Sequence, residues 1–487
     1  MIKTVPIKIK LPSYVISVAR VLVNEGHQVY LVGGVLRDML LNRIPKDYDL
    51  ATDAVPEIVL ESFPKAIATG LKFGGITVLS RDEHGENHPV EVTTFRSDAK
   101  YVDGRWPTDV KFEKDIVSDI SRRDFTISAF AIDLSQKGIK FLSDEKKYSQ
   151  EAQWDMIDLF DGISDINKKL IRSVGDPIER FSEDGLRAFR ACRLASVLGF
   201  QIEKKTDNAI EKTINVSRMV SMERIRDEFM KILLNSPKPS IGIELMRKNG
   251  LLEIFIPELL ECYGVSQPKF HIHDVYNHIL RAVDIAQDNV KLAILFHDIG
   301  KPQKSTGDGH FYGHDIESAE ITQRVMKRLR FSNAEIDRTV RLVKNHMFYY
   351  PHDVNGIPKN EEEGTNFNQW TDSAVRRFIR RVGEDLIEDL FALRIADAMS
   401  NPKGVFDPTE IVKLQERISE VRQKDMVLTV EDLDVTGYDL MGIGIRSGPE
   451  MGKILSKLLE LVIDDPKIND RETLLKKAKE LQMMSDK

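Results

Sequence analysis

The secondary-structure signals of this 487-residue chain change character once, near Asp176, and that change limits the fold more than any single motif. Before it, short apolar runs alternate with turn residues. Val29–Val32 is an apolar run ending in Gly33-Gly34, a strand entering a turn. Residues 37–41 open a helix, 48–51 form a further strand, and 76–79 and 90–95 alternate as strands do. Residues 55–63 have helical periodicity, with Asp53 as the expected N-cap and Pro56 in the first turn. The polar stretch 98–115, carrying Gly104 and Pro107, reads as a long loop. After Asp176, runs such as 183–198 and 222–234 have helical spacing and few β-branched residues, and the chain stays largely helical to its end. The expected fold class is α+β: a head with a small mixed β-sheet and helices, followed by all-helical segments.

Composition removes several classes. Cys192 and Cys262 are the only cysteines and stand far apart, which excludes a disulfide framework and a cysteine zinc site. No stretch approaches the ~20 apolar residues of a membrane helix. Residues 1–12 lack the apolar core and cleavage site of a signal peptide, so a cytoplasmic location is expected. The net charge of −7 means that a nucleic-acid partner would be met by local basic patches.

The sharpest local feature is Gly33-Gly34-Val35-Leu36-Arg37-Asp38, followed by Asp47-Tyr48-Asp49. Glycines remove side chains where a backbone approaches a ligand, and the helix behind them offers free N–H groups to a phosphate. Arg37 adds a charged fork for the same anion. On a strand, Asp47 and Asp49 project to one face. Two such carboxylates repel unless a cation lies between them, and Mg²⁺, which takes carboxylates together with phosphate oxygens, is the natural occupant. Glu91, an acid inside the run 90–95, is expected to complete a three-carboxylate cluster. A plain turn or a solvated loop edge explains either motif alone. Both within seventeen residues, with an arginine between them, point to a site.

Gly-Gly-x-x-Arg-Asp followed by Asp-x-Asp-Leu-Ala-Thr resembles the class II tRNA nucleotidyltransferases and the related bacterial poly(A) polymerases. Arg122-Arg123-Asp124-Phe125-Thr126-Ile127 resembles their second motif, which binds the nucleotide sugar and phosphates. Asp103-Gly104-Arg105 resembles the flexible loop of members that add the terminal A, and the run from Glu183 to Arg190 resembles their nucleotide-selecting helix. The motifs stand in family order across residues 7–251. Trp106 stands where members often carry a basic residue, Ser128 where Asn is common, and 133–154 reads as an insertion. The resemblance implies catalysis by Asp47, Asp49 and Glu91, with Asp47 and Asp49 holding two Mg²⁺ ions. One would activate the 3′-hydroxyl of the RNA and the other would steady the triphosphate. It implies nucleotide binding by Gly33, Gly34, Arg37, Arg123, Asp124, Asp184, Arg187, Arg190 and Arg193, and loop roles for Asp103 and Arg105.

Asp184 and Arg187, three residues apart, are expected as neighbours on one helix face. A carboxylate accepts an exocyclic amine proton and a guanidinium donates to a ring acceptor, so such a pair reads C or A and rejects U and G. A surface ion pair is the plain alternative. Arg190 and Arg193 continue around the helix and are expected to face the triphosphate.

Eight of the eleven histidines lie between His271 and His352. His278, His297-Asp298, His314, His346 and Asp397 form a set able to bind one or two metal ions through imidazole and carboxylate. Leu295-Phe296-His297-Asp298-Ile299-Gly300-Lys301, with the histidines after it, resembles the HD phosphohydrolase superfamily. The resemblance implies a helical domain holding a divalent transition metal, with phosphatase or phosphodiesterase activity. A degenerate domain that only supports the fold is the alternative.

Seven basic residues lie between Arg324 and Lys344, and Arg376, Arg377, Arg380 and Arg381 recur at helical spacing. Both groups are candidates for the RNA backbone, with a solvated helix face as the alternative. The tail, with Gly437-Tyr438-Asp439-Leu440-Met441-Gly442, resembles the helical domain that holds the tRNA elbow in the same family. The expected domains are a nucleotidyltransferase head at 1–162, a helical neck and body at 163–267, an HD domain at 268–402 and a tRNA-binding tail at 403–487. The expected function is CCA tRNA nucleotidyltransferase: addition of CCA, or its terminal A, to tRNA from CTP and ATP. The alternatives are a poly(A) polymerase, an enzyme adding only A, and a hydrolase whose head merely binds nucleotides. No membrane and no protein partner are expected.

Overall fold

An eight-stranded mixed sheet carries the first third of the chain. In a computed structural model its strands are β1 (Thr4–Ile9), β2 (Val29–Val32), β3 (Asp49–Thr52), β4 (Ala66–Gly70), β5 (Gly75–Arg81), β6 (Asn87–Thr94), β11 (Phe130–Asp133) and β12 (Ala152–Asp158). They run in the order β1-β12-β11-β2-β3-β6-β5-β4. The β3–β6 pair is parallel, and the other neighbours are antiparallel. The structure describes residues 3–71, 74–98, 101–102, 106–107, 110–135, 152–267, 272–307, 309–348, 370–401, 408–423 and 429–485. It divides into two compact units, Met1–Pro257 and Glu258–Lys487.

The sheet is larger than the small one expected. β1 contains Pro6 and two lysines, which obscure its alternation, as suits an edge strand. β12 falls at the end of the segment read as an insertion. It pairs with β11 from Phe130↔Asp158 to Ile132↔Met156 and buries Trp154 and Met156 in the core. The segment 133–154 therefore connects two adjacent strands, and its last residues belong to the sheet. Residues 136–151 lie outside the described residues.

The stretch 98–115 is not a plain loop. β7 (Arg96–Asp98) pairs with β10 (Val110–Phe112), and β8 (Tyr101–Val102) with β9 (Trp106–Pro107), giving nested antiparallel ribbons. Asp103 and Arg105 lie outside the described residues. The sheet packs with α1 (Ser13–Asn24), and the glycine pair enters α2 (Gly34–Leu40). Asp53 does not cap α3 (Pro56–Ser62), whose N-cap is Val55. The Asp53 carboxylate instead accepts from the Gln28 N–H at 2.9 Å and meets His27 at 3.2 Å, because the β2–β3 pairing brings that end of β2 to it.

Helix α4 (Ile116–Ser121) leads into the second motif. The run 183–198 is two helices, α5 (Pro177–Glu183) and α6 (Leu186–Leu198), broken at Asp184 and Gly185. A Cβ on Gly185 would lie 2.5 Å from the Val216 carbonyl oxygen, so a close tertiary approach fixes the break. Helix α7 (Met222–Asn235) packs against α6.

The second unit is helical among the described residues: α8 (Val275–Ile285), α9 (Lys291–Phe296), α10 (His314–Arg328), α11 (Asn333–Asn345), α12 (Asp372–Val382), α13 (Ile387–Ser400), α14 (Pro449–Asp464) and α15 (Arg471–Ser485), with a further 14-residue helix at Thr409–Arg422 and shorter pieces between them. Leu440, Leu458, Val462, Leu474 and Ala478 are buried together as a separate core in the tail. No helix among the described residues is long and apolar enough to cross a membrane.

Part of each basic group is committed inside this unit. Arg376 donates to the Ile463 carbonyl at 2.7 Å, Arg377 pairs with Asp464, and Arg380 pairs with Glu460 at 2.5 Å. Acids four apart on α14 match Arg377 and Arg380 on α12, so these two arginines tie the helices together, while Arg381 is exposed. In the other group, Arg328 pairs with Glu258, Arg338 with Asp389 and Arg341 with Asp337.

Candidate functional site

The head site begins where β2 ends. Gly33 caps α2 with φ +89° and ψ −147°, a region open essentially to glycine alone. A Cβ there would lie 2.8 Å from Arg123 Nη1 and 3.2 Å from Asp49 Oδ2, so the backbone threads between a guanidinium and a carboxylate. Gly33→Ala is expected to strain the backbone by roughly 1–3 kcal/mol. By displacing Arg123 it should also slow nucleotide addition on the order of 10²-fold. Single-turnover extension assays check this, and an unchanged rate would mean that the close approach has no part in catalysis.

Asp49 opens β3 and lies in parallel register with Glu91 on β6. The Glu91 N–H donates to the Tyr48 carbonyl at 3.1 Å, which carries the pairing past the strand end. Asp47 precedes the strand and is exposed, as is Glu91. Burial raises the Asp49 pKa to about 6; Arg123 opposes the rise, and the Glu91 and Asp47 charges add to it. The neighbouring acids thus form an electrostatic conflict that a bound cation relieves.

Arg37 donates through Nε to Asp38 at 2.9 Å and through Nη1 to Ser128 at 3.3 Å, so the residue standing in place of Asn still anchors it. Arg122 and Arg123 both reach the buried Asp119, at 2.5 and 3.2 Å. No sequence motif singled out that acid. Burial works against the Asp119 charge, but the two arginines outweigh it and hold its pKa down. Asp124 is buried and pairs with Arg190 at 2.7 Å. Here too burial opposes the charge, and Arg190 and Arg187 more than offset it.

The selecting residues depart from the single-helix expectation. Asp184 sits at the break between α5 and α6, so it is not an i, i+3 partner of Arg187 on one helix. Its Oδ1 accepts from the Leu186 N–H at 3.0 Å, and its Oδ2 accepts from Arg224 at 2.7 Å. Arg187 is buried and donates to Glu183 at 2.5 Å, to the Arg180 carbonyl at 2.9 Å and to the Arg122 carbonyl at 3.1 Å. Arg193 pairs through Nε with the buried Glu228 at 2.5 Å, and Arg190 pairs through Nε with Asp124 at 2.7 Å while its side chain stays 40% exposed. Both cysteines are buried, which pushes their thiols up and out of nucleophilic range at neutral pH.

The histidine set converges. His278 comes from α8, His297 and Asp298 follow α9, His314 opens α10, His346 ends α11 and Asp397 lies on α13. The Nδ1 atoms of His297, His314 and His346 donate to the carbonyls three residues before them, at 2.7, 2.8 and 2.6 Å. Nδ1 of His278 meets Ser400 Oγ at 2.9 Å, and that hydroxyl donates to the Asp397 carbonyl. With the proton held on Nδ1, all four Nε2 atoms turn inward, 3.0–3.8 Å from carboxylate oxygens of Asp298 or Asp397. Nε2 of His297, His314 and His346 is buried without a hydrogen bond. Lone pairs facing carboxylates in a buried space call for a cation, and two triads of these residues have ligand atoms within 4.8 Å of one another. Lys301 holds Asp298 at 2.6 Å and Arg394 holds Asp397 at 3.0 Å. A cavity of about 410 Å³ opens onto Asp298, His314, His346, Asp397, Lys301 and Arg394.

Comparison with known proteins places these sites in context. The family described as "Poly A polymerase head domain" matches residues 29–172, "Probable RNA and SrmB- binding site of polymerase A" matches 199–262, and "tRNA nucleotidyltransferase domain 2 putative" matches 314–478. The CCA-adding enzyme of Pediococcus pentosaceus is 30% identical over 462 residues, covering 94% of this chain and 95% of that protein. The enzyme of Limosilactobacillus fermentum is 29% identical over 457 residues, covering 94% of each. The fold is that of the Bacillus stearothermophilus CCA-adding enzyme crystallised with CTP, with a TM-score of 0.66, 24% identity, and coverage of 97% of this chain and 98% of that one. By sequence along nearly its whole length, and by fold, the chain belongs to the family of CCA-adding enzymes.

Proposed function

We propose that the protein adds C, C and A in turn to the 3′ end of tRNA, using CTP and ATP. The observation that carries this reading is the half-buried Asp49 carboxylate, raised to about 6 beside Glu91, with Arg123 and the Gly33 backbone against it. Asp47, Asp49 and Glu91 would hold Mg²⁺, two ions in the family's manner. Those ions would supply hydroxyl activation and charge neutralisation on the triphosphate. The chain's own groups position the reactants: Gly33 and Gly34 leave room for the phosphates, and Arg123 adds positive charge beside Asp49. Asp184 accepts the exocyclic amine that cytosine and adenine share and repels the carbonyl of uracil or guanine at the same edge.

The head would span 1–162, the neck and body 163–267, the histidine domain 268–402 and a tRNA-holding tail 403–487. His278, His297, Asp298, His314, His346 and Asp397 would bind a divalent transition metal and hydrolyse a phosphoester, with Lys301 and Arg394 beside the cavity to receive the phosphate charge.

The test uses tRNA transcripts ending before the tail, after C and after CC, each with CTP, ATP or both, sized to one nucleotide. Extension of each to CCA and no further is expected. Extension of the CC-ending transcript alone would indicate an enzyme adding only A, and long A-tails a poly(A) polymerase.

A further inference from the structure

Tyr48 stands between the two aspartates of the head site, and its side chain points the other way. Alternation along β3 and β6 puts Asp49 and Glu91 on one face of the sheet and Tyr48, His88 and Val90 on the face where α1 packs. Tyr14, in the first turn of α1, meets the Tyr48 ring edge to face, with centroids 5.8 Å apart at 87°. It also stacks on the His88 imidazole, 4.4 Å away at 14°. His88 Nε2 lies 2.8 Å from Asp82 Oδ2 in the turn between β5 and β6. Asp82 Oδ1 accepts from the N–H groups of His84 and Glu86, both at 2.9 Å. One line of contact therefore runs from that turn through His88 and Tyr14 to Tyr48. Asp47 precedes β3, and among the described residues no hydrogen bond or ion pair holds its side chain. Its place follows from Tyr48, whose carbonyl accepts from the Glu91 N–H at 3.1 Å and whose ring is buried. Burial raises the Tyr14 pKa, and the Asp82 and Asp47 charges raise it further, so this ring lies in the field of both acids.

We propose that Tyr14 and His88 are positioning residues for the metal-binding carboxylates: the stack fixes Tyr48, and Tyr48 fixes the spacing of Asp47 from Asp49. This rests on Asp47 and Asp49 as Mg²⁺ ligands. Carboxylates held at a set spacing give up little freedom when an ion binds, whereas carboxylates free to move apart under their own repulsion must first be drawn together. Loss of the stack therefore weakens metal binding more than it weakens the fold.

The experiment titrates Mg²⁺ into full-length wild type, Tyr14→Leu, Tyr14→Phe, His88→Ala and Asp47→Ala and reads two half-saturating concentrations. One comes from the rise in Tm of the nucleotide-free protein. The other comes from the rate of C addition to a tRNA transcript lacking the tail, at saturating CTP. Imidazole ligands favour transition metals over Mg²⁺, and the share of the Tm rise that Asp47→Ala removes belongs to the head. Tyr14→Leu, which fills the space without a ring, is expected to raise both concentrations by about 10-fold, and His88→Ala should move both the same way. Tyr14→Phe keeps the ring and should restore most of the affinity. Where Tyr14→Leu does not fold, His88→Ala carries the test, since the His88 side chain is 32% exposed. Both concentrations equal to wild type in these variants, with only Tm or the maximal rate lowered, would overturn the proposal, because a merely structural role moves those alone. If Asp47→Ala leaves addition and the Tm rise intact, the reading of the carboxylates as metal ligands itself falls. If Asp47→Ala removes both and the stack variants change neither concentration, only the role of the stack falls.

Discussion

Asp49→Asn is expected to abolish nucleotide addition and, at the same time, to stabilise the metal-free protein near neutral pH. The two effects have one cause. Burial, with the Glu91 and Asp47 charges beside it, raises the Asp49 pKa from 3.8 to about 6 against the pull of Arg123. A carboxyl whose folded pKa is raised favours the folded state while protonated, below the unfolded value near 4. That advantage disappears as pH rises through about 6. At pH 7.5 the ionised group is a net liability of about 2–3 kcal/mol, at roughly 1.4 kcal/mol per unit of displacement. Asparagine keeps the shape and drops the charge. Metal-free Asp49→Asn should therefore melt roughly 5 °C above wild type at pH 7.5 and level with it at pH 4. Saturating Mg²⁺ should raise the wild-type Tm and close the gap, while the rate of addition falls on the order of 10³-fold or more. Calorimetry at the two pH values, with and without Mg²⁺, checks the first half, and single-nucleotide extension the second. Asp47, exposed, is the control: Asp47→Ala should lose addition with a smaller gain in Tm than Asp49→Asn and with tRNA still retained on a filter. Equal melting of wild type and Asp49→Asn at both pH values would mean that the carboxylates are not held in conflict, and the metal assignment would lose its physical basis.

That site was readable in the chain because its parts are local. The glycine pair, the helix after it and the alternation of 90–95 each obey a short-range rule, and the β3–β6 register then brings Glu91 beside Asp49. The histidines were readable by residue type, and the orienting carbonyls of His297, His314 and His346 lie three residues before them in the chain. What escaped depends on distant partners. The break at Asp184 follows from Gly185 meeting residues 216 and 217, and no pattern within 183–198 announces it. Arg377 and Arg380 of α12 look like a nucleic-acid surface until Asp464 and Glu460, 87 and 80 positions later, pair with them. Arg224 and Ser400 were silent for the same reason, since each acts on a residue that only the fold brings near. β1 and β12 were missed because Pro6, the lysines and a long connection hide two edge-side strands from any period-two count.

His297→Ala is expected to remove bound metal and any metal-dependent phosphoester hydrolysis while leaving nucleotide addition near wild type. The two sets of residues lie in different compact units, Asp47 and Asp49 in the first and His297 in the second. Without metal, burial opposes a charge on His297, but Asp298 and Asp397 outweigh it and raise its pKa to about 10. That raised value contributes stability that is full below the unfolded pKa of 6.5 and lost as pH rises through about 10. A divalent ion held by this cluster would replace the proton between the same two acids. Metal-stripped wild type should therefore lose stability between about pH 6.5 and pH 10, metal should restore it, and His297→Ala should show neither response. Removing one partner of a buried charge set costs about 3–5 kcal/mol, so the variant will also be less stable at neutral pH. Ser400→Ala separates ligation from stability. It keeps every ligand atom and only frees Nδ1 of His278, and it should weaken metal binding or hydrolysis by about 10–100-fold. Metal content, hydrolysis and nucleotide addition measured on the same preparations decide the matter. Loss of hydrolysis with addition intact makes the protein an enzyme with two independent sites. Equal loss of both would mean that the histidine cluster serves nucleotide addition itself, and metal retained by His297→Ala would reduce the cluster to a charge-paired core.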